Sequence, residues 1–202
     1  AAQGEGLDPG RVYLFRGGRL GPEPEPATEL TGAGRFGAAL AGALDLDGDG
    51  HSDVAVGAPA AGSNAGEVHV YLGSAGGLGA APTAVLAAPD GAGGRFGAAL
   101  GGAGDVDGDG FADLVVGAPE ADSARGHVFL FLGGAAGPGP APAQTLVGLS
   151  AGGGYFGSAV ASVGDADGDG FADLAVGAFG TDGRRGRALV YLGGEGGLAV
   201  PE

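Results

Sequence analysis

One feature limits this chain more than any other: a gapless self-similarity at a spacing of 60 residues. Phe36-Gly37 recurs as Phe96-Gly97 and Phe156-Gly157, and Asp45 recurs as Asp105 and Asp165. Gly57-Ala58 returns as Gly117-Ala118 and Gly177-Ala178, and Gly66 as Gly126 and Gly186. Tyr71-Leu72-Gly73 returns as Phe131-Leu132-Gly133 and Tyr191-Leu192-Gly193. Tandem copies of this length are single supersecondary units that bury their apolar faces only by stacking on one another.

Each unit reads as four short strands, over 36–44, 53–58, 67–72 and 83–87 in the first copy. The third alternates, with Val68, Val70 and Leu72 on one side and His69 and Tyr71 on the other. No segment free of glycine carries a helical period, so no helix is expected. Four-stranded antiparallel units in tandem are what a β-propeller blade requires. The predicted fold class is therefore all-β, a β-propeller fragment of about three blades plus an outer half-blade. Residues 1–35 supply the outer strands of a partial blade, because Gly10-Arg11-Val12-Tyr13 matches the third-strand segment that begins at Gly66. Repeat 1 is 36–95 and repeat 2 is 96–155; repeat 3, 156–202, lacks most of its fourth strand. Open blades expose strand edges. Hence the expectation of a homo-oligomer in which the N-terminal strands of one chain complete the last blade of another, or else of a monomeric piece of a larger propeller.

Composition sharpens this reading. Fifty glycines and 12 prolines would suggest disorder if they did not fall in register. The net charge is −15, from 9 basic and 24 acidic residues, and half of the acids lie in three short Asp clusters. No basic patch is present to meet phosphate, which argues against a nucleic-acid partner. The absence of Cys removes disulfides and thiolate metal sites. No apolar run approaches the ~18 residues of a membrane span, so membrane insertion is not expected. No signal peptide is visible and Ala1 replaces an initiator Met, so the chain reads as a piece of a longer polypeptide.

The clusters place carboxylates at positions 1, 3, 5 and 9 of a loop with Gly at 6. They are Asp45, Asp47, Asp49 and Asp53; Asp105, Asp107, Asp109 and Asp113; and Asp165, Asp167, Asp169 and Asp173. Four carboxylates in nine residues repel strongly unless a cation lies between them. An all-oxygen donor set suits a hard divalent ion, and calcium over magnesium because its shell is larger and more flexible. A main-chain oxygen at position 7, from His51, Phe111 or Phe171, completes each expected set, giving three Ca2+ sites. An EF-hand is excluded, since position 12 is Val56, Val116 or Val176 and the flanks are strands. The bland reading is a solvated acidic turn; three such loops in register argue against it.

Phe-Gly, an Asp loop, then Gly-Ala-Pro (Gly57-Ala58-Pro59 and Gly117-Ala118-Pro119) resembles the FG-GAP repeats of the integrin α-subunit propeller, over roughly residues 11–195. The third copy departs, with Phe179 in place of Pro. The resemblance implies calcium in these loops on one face of a seven-bladed ring. It also implies ligand binding on the opposite face, through 60–65, 120–125, 180–185 and the segments before each Phe-Gly. The close likeness of the copies suggests recent duplication or a prokaryotic relative.

Function then divides into an adhesion or protein-ligand binding module rigidified by calcium, a purely structural calcium-stapled scaffold, and a carbohydrate-binding propeller. Arg125, Arg184 and Arg185 are candidates to meet an acidic partner, whether extracellular protein or glycan. An enzyme is not expected, because His51, His69 and His127 share no repeat position and no serine lies in a nucleophile elbow. Loops of this type fill where calcium is millimolar, which points to an extracellular or cell-surface setting.

Overall fold

The computed structural model describes residues 9–19, 21–89, 94–150 and 152–199. The fold is all-β. Four strands, β5 (Ala39–Leu44), β6 (Asp53–Ala58), β7 (Glu67–Tyr71) and β8 (Ala84–Ala87), form one antiparallel meander in chain order. A second contains β9 (Ala99–Gly104), β10 (Asp113–Ala118), β11 (His127–Phe131) and β12 (Gln144–Val147). The third contains β13 (Phe156–Gly164), β14 (Asp173–Ala178) and β15 (Arg187–Tyr191). Ahead of them, β1 (Gly10–Leu14) pairs with β4 (Thr28–Gly32), and between these lies the short ribbon of β2 (Gly17–Gly18) and β3 (Gly21–Pro22). These are propeller-type blades, and among the described residues the strands form no closed barrel. Of residues 198–202, expected to form the remnant of a fourth strand, 200–202 lie outside the described residues, as do 1–8.

Each hydrophobic cluster spans two successive sheets. Val68, Val70 and Leu86 of repeat 1 pack with Phe96, Leu114 and Phe131 of repeat 2. Val115, Val128 and Leu130 of repeat 2 pack with Phe156, Val176 and Tyr191 of repeat 3. Leu30 of β4 packs with Phe36, Val56 and Tyr71 of repeat 1. Burial of a Val or Leu contributes about 1.5–3 kcal/mol, so most of the apolar stabilisation sits between blades. That explains why the third strand buries both faces: Val68 and Val70 face the next sheet, while Tyr71, only 2% exposed, faces the previous one.

The first strand begins later than the sequence suggests in repeats 1 and 2, at Ala39 and Ala99. Phe36-Gly37 forms a turn in which Arg35 and Gly37 are left-handed (φ 61° and 86°) and the N–H of Ala38 donates to the carbonyl of Arg35. Glycine at 66 and 126 is forced twice: its φ is positive (88° and 86°), and a Cβ would overlap the carbonyl of Phe96 or Phe156 in the following repeat. Each β6–β7-type connection also contains a four-residue helical turn, Ala61–Asn64, Ala121–Ala124 and Thr181–Arg184. Sequence periodicity does not reveal them, because each is a single turn containing left-handed residues such as Ser63, Asp122 and Asp182.

Candidate metal centres

The Asp loops join the first and second strands of each sheet, and glycines provide the tight reversals, for example Gly108 (φ 79°) and Gly110 (φ 93°). Carboxylates at positions 1, 3 and 9 converge. One oxygen each from Asp45, Asp47 and Asp53 lies within 4.8 Å of the others, and the same holds for Asp105, Asp107 and Asp113 and for Asp165, Asp167 and Asp173.

The members of a loop are held differently. Asp105 Oδ1 accepts the N–H groups of Gly108 (2.7 Å) and Asp109 (3.1 Å), and its Oδ2 accepts that of Gly110 (3.0 Å). Asp165 repeats this pattern. In the first loop Asp45 Oδ2 accepts the N–H of Gly50 (3.2 Å), whereas its Oδ1 is buried without a hydrogen-bond partner among the described residues. A buried anionic oxygen left unpaired is costly, and a cation is the partner that would satisfy it. Asp49, Asp109 and Asp169 stand outside the three-carboxylate groups, and each accepts the N–H of the residue at position 7 through Oδ1.

Position 9 is fully buried in all three loops. Asp53 accepts N–H groups from Leu46 (2.6 Å) and Gly73 (2.7 Å), Asp113 from Val106 (2.8 Å) and Gly133 (2.9 Å), and Asp173 from Ala166 (2.7 Å) and Gly193 (2.9 Å). Burial pushes the Asp113 carboxyl up to about 6, against the lowering influence of those two N–H bonds. Burial also raises Asp53, again opposed by its N–H donors. Asp107 and Asp167 are raised as well, by desolvation first and then by the neighbouring charge of Asp109 and Asp169. A cation at the convergence point would reverse these shifts, since it favours every ionised carboxylate around it. The donor set is all oxygen and anionic, which fits a hard divalent ion.

The FG-GAP repeat model matches residues 36–71, and the FG-GAP-like repeat model matches 105–176. Integrin alpha-4 of Xenopus laevis is 37% identical over 183 residues, 86% of this chain and 17% of that protein. Integrin alpha-IIb of Homo sapiens is 49% identical over 115 residues, 54% of this chain and 11% of that protein. Integrin alpha-5 of Xenopus laevis is 37% identical over 163 residues, 75% of this chain and 15% of that protein. This is an integrin-α-like FG-GAP repeat chain. It spans less than a fifth of the length of these relatives. All three relatives are integrin α subunits.

Two features of the FG-GAP loops are absent from the sequence reading. Position 9 is a structural anchor as well as a candidate ligand; the signal was the glycine 20 residues later in every copy, Gly73, Gly133 and Gly193. The loops are also wired to one another. The N–H of Ala112 donates to the carbonyl of Asp45 (3.0 Å), and that of Ala172 to the carbonyl of Asp105 (2.8 Å). The Phe111 ring lies on Gly48 and the Phe171 ring on Gly108, where an added Cβ would come within 2.8 and 2.7 Å. The position-7 aromatics therefore have side-chain work beside the expected main-chain one. Among the described residues no helix is long and apolar enough to cross a membrane.

Proposed function

We propose that this chain is a calcium-binding FG-GAP module of an extracellular or cell-surface adhesion or protein-ligand-binding protein, and that calcium rigidifies the loops between the first two strands of each blade. The observation that carries the metal part is the convergence of three Asp carboxylates in each of three loops, with the buried, unpartnered Oδ1 of Asp45 among them. Asp45, Asp47, Asp49 and Asp53 would hold the first ion with the main-chain oxygen of His51; Asp105, Asp107, Asp109, Asp113 and Phe111 the second; and Asp165, Asp167, Asp169, Asp173 and Phe171 the third. The ion supplies positive charge and fixed geometry, with no chemistry on a substrate.

The adhesion part rests on family membership and on topology. The loops at 60–65, 120–125 and 180–185 lie at the opposite strand ends from the Asp loops, so metal and partner would occupy different faces. That arrangement separates a rigid base from a variable rim.

Calorimetric titration of chelator-stripped protein with CaCl2 tests the metal assignment. Three calcium ions per chain are expected, one for each Asp group, and Asp45→Ala, Asp105→Ala and Asp165→Ala should each remove about one. An unaltered stoichiometry in all three variants would reject it.

A further inference from the structure

Two hydrogen-bonded strings join each candidate centre to the next, at the internal junctions between repeats 1 and 2 and between repeats 2 and 3. The first string runs through a single peptide group. Phe111 and Ala112 share that group: its N–H donates to the carbonyl of Asp45 in the preceding loop (3.0 Å), and its carbonyl is the position-7 oxygen proposed for the second ion. The group shared by Phe171 and Ala172 has the same place between the carbonyl of Asp105 (2.8 Å) and the third ion.

The second string runs from position 9 of one loop to position 9 of the loop before it. Asp113 Oδ1 accepts the N–H of Gly133 (2.9 Å), and the N–H of the adjoining Gly134 donates to the carbonyl of Leu46 (2.9 Å). The N–H of Leu46 in turn donates to Asp53 Oδ2 (2.6 Å). The pattern recurs from Asp173 through Gly193, Gly194 and Val106 to Asp113. The two strings lie side by side. A Cβ on Gly133 would overlap the carbonyl oxygen of Ala112 and come within 2.9 Å of that of Leu46.

We propose that calcium binding is positively coupled between neighbouring loops through these strings, with the second loop as the hub. The proposal rests on the calcium reading of the loops and adds their mutual dependence. Fixing the Phe111 and Asp113 oxygens in the second loop also fixes Ala112 and Gly134, the donors that hold the main chain of Asp45 and Leu46. The first loop then loses less conformational entropy when it closes on its own ion. Such coupling is reciprocal, and in stacked repeats it is confined to neighbours. Among the described residues no hydrogen bond joins the first loop to the third. Charge acts in the opposite sense, since a filled loop attracts the next cation less. Salt at about 0.15 M screens that effect beyond about 8 Å.

The amides of Gly50, Gly110 and Gly170 each donate to the position-1 carboxylate of their own loop, which gives one NMR reporter per site. CaCl2 is titrated into the chelator-stripped full chain in about 0.15 M KCl. Asp105→Ala should weaken binding at both Gly50 and Gly170 by about fivefold or more. Asp45→Ala should weaken it at Gly110 and leave Gly170 unchanged. Gly134→Pro removes the N–H of one string without altering a carboxylate or a charge, at a site where the nearest atom to an added Cβ is 4.0 Å away. In that background Asp45→Ala should move Gly110 less, whereas Gly134→Ala, which keeps the N–H, should leave the effect intact. Gly194→Pro should reduce the coupling between the second and third loops alone. Independent affinities at the three sites, first-to-third coupling as strong as first-to-second, or coupling unmoved by both Pro variants would overturn the proposal. A stoichiometry of three ions in that same titration would leave the metal assignment standing. A chain that binds no calcium would overturn both.

Discussion

Asp113 and Asp105 lie in one loop, and their substitutions should fail in different ways. Asp113 is buried and satisfies two backbone N–H groups, from Val106 and Gly133. Removing it orphans both, at about 1–3 kcal/mol each. Asp113→Ala should therefore lower the stability of the protein in excess chelator, as read by urea denaturation. Asp105 accepts its N–H bonds within an exposed turn. Asp105→Ala should remove a calcium ion and alter the chelated protein much less.

Asp113 also sets a pH dependence. Its carboxyl titrates at about 6 in the folded metal-free protein, against about 3.9 in an unfolded chain. A raised carboxylate pKa means that the folded state binds the proton more tightly. Its contribution is therefore fully present below about pH 4 and is lost as pH rises through about 6. In chelator the urea midpoint should be higher at pH 5 than at pH 7. With saturating calcium the order should reverse, because the ion requires the ionised carboxylate.

At the scale of elements, the connections opposite the Asp loops store backbone strain. Asp122, Ser123 and Ala124 have φ of 50°, 56° and 63° in succession, a conformation that costs roughly 1–2 kcal/mol per L-residue. Ala124→Gly should therefore stabilise the protein by about 1 kcal/mol, visible as a raised thermal midpoint. The residues before two Phe-Gly pairs, Arg95 (φ 55°) and Tyr155 (φ 52°), are held the same way. Their N–H groups donate to the carbonyls of Asn64 and Ala124, in the helical turns of the sheets that precede each Phe-Gly pair. Strain in these turns is thus balanced by contacts between blades. The 53–58 strand was legible because its apolar run is bounded by an Asp loop and by Gly-Ala-Pro. The late start of β5 was not, because the Phe36-Gly37 turn is shaped by β1, whose Gly10 lies against the Phe36 carbonyl and whose Val12 lies beside Gly37.

Across the whole molecule, the loops form a connected row. Since Ala112 donates to Asp45 and Ala172 to Asp105, loosening one loop should expose the amide of the next. Chelation should accelerate hydrogen exchange at Ala112 and Ala172. Asp45→Ala in calcium should accelerate Ala112 more than Ala172. Equal acceleration at both would mean that the loops melt as one unit and not in sequence.

The sequence by itself determined the repeat length, the strand-rich unit and the positions of the twelve loop carboxylates, because each is written in local spacing. Tertiary structure decided what each carboxylate does. Position 9 became a buried anchor because strand three of its own sheet brings Gly73, Gly133 or Gly193 beside it, and Phe111 and Phe171 at position 7 became spacers because their rings rest on the preceding loop. It also decided which glycines are indispensable. Gly57 and Gly117 each have a carbonyl of the following repeat, that of Gly97 or Gly157, where a side chain would be. Steric exclusion between blades acts across 40 residues of chain, and no local pattern records it.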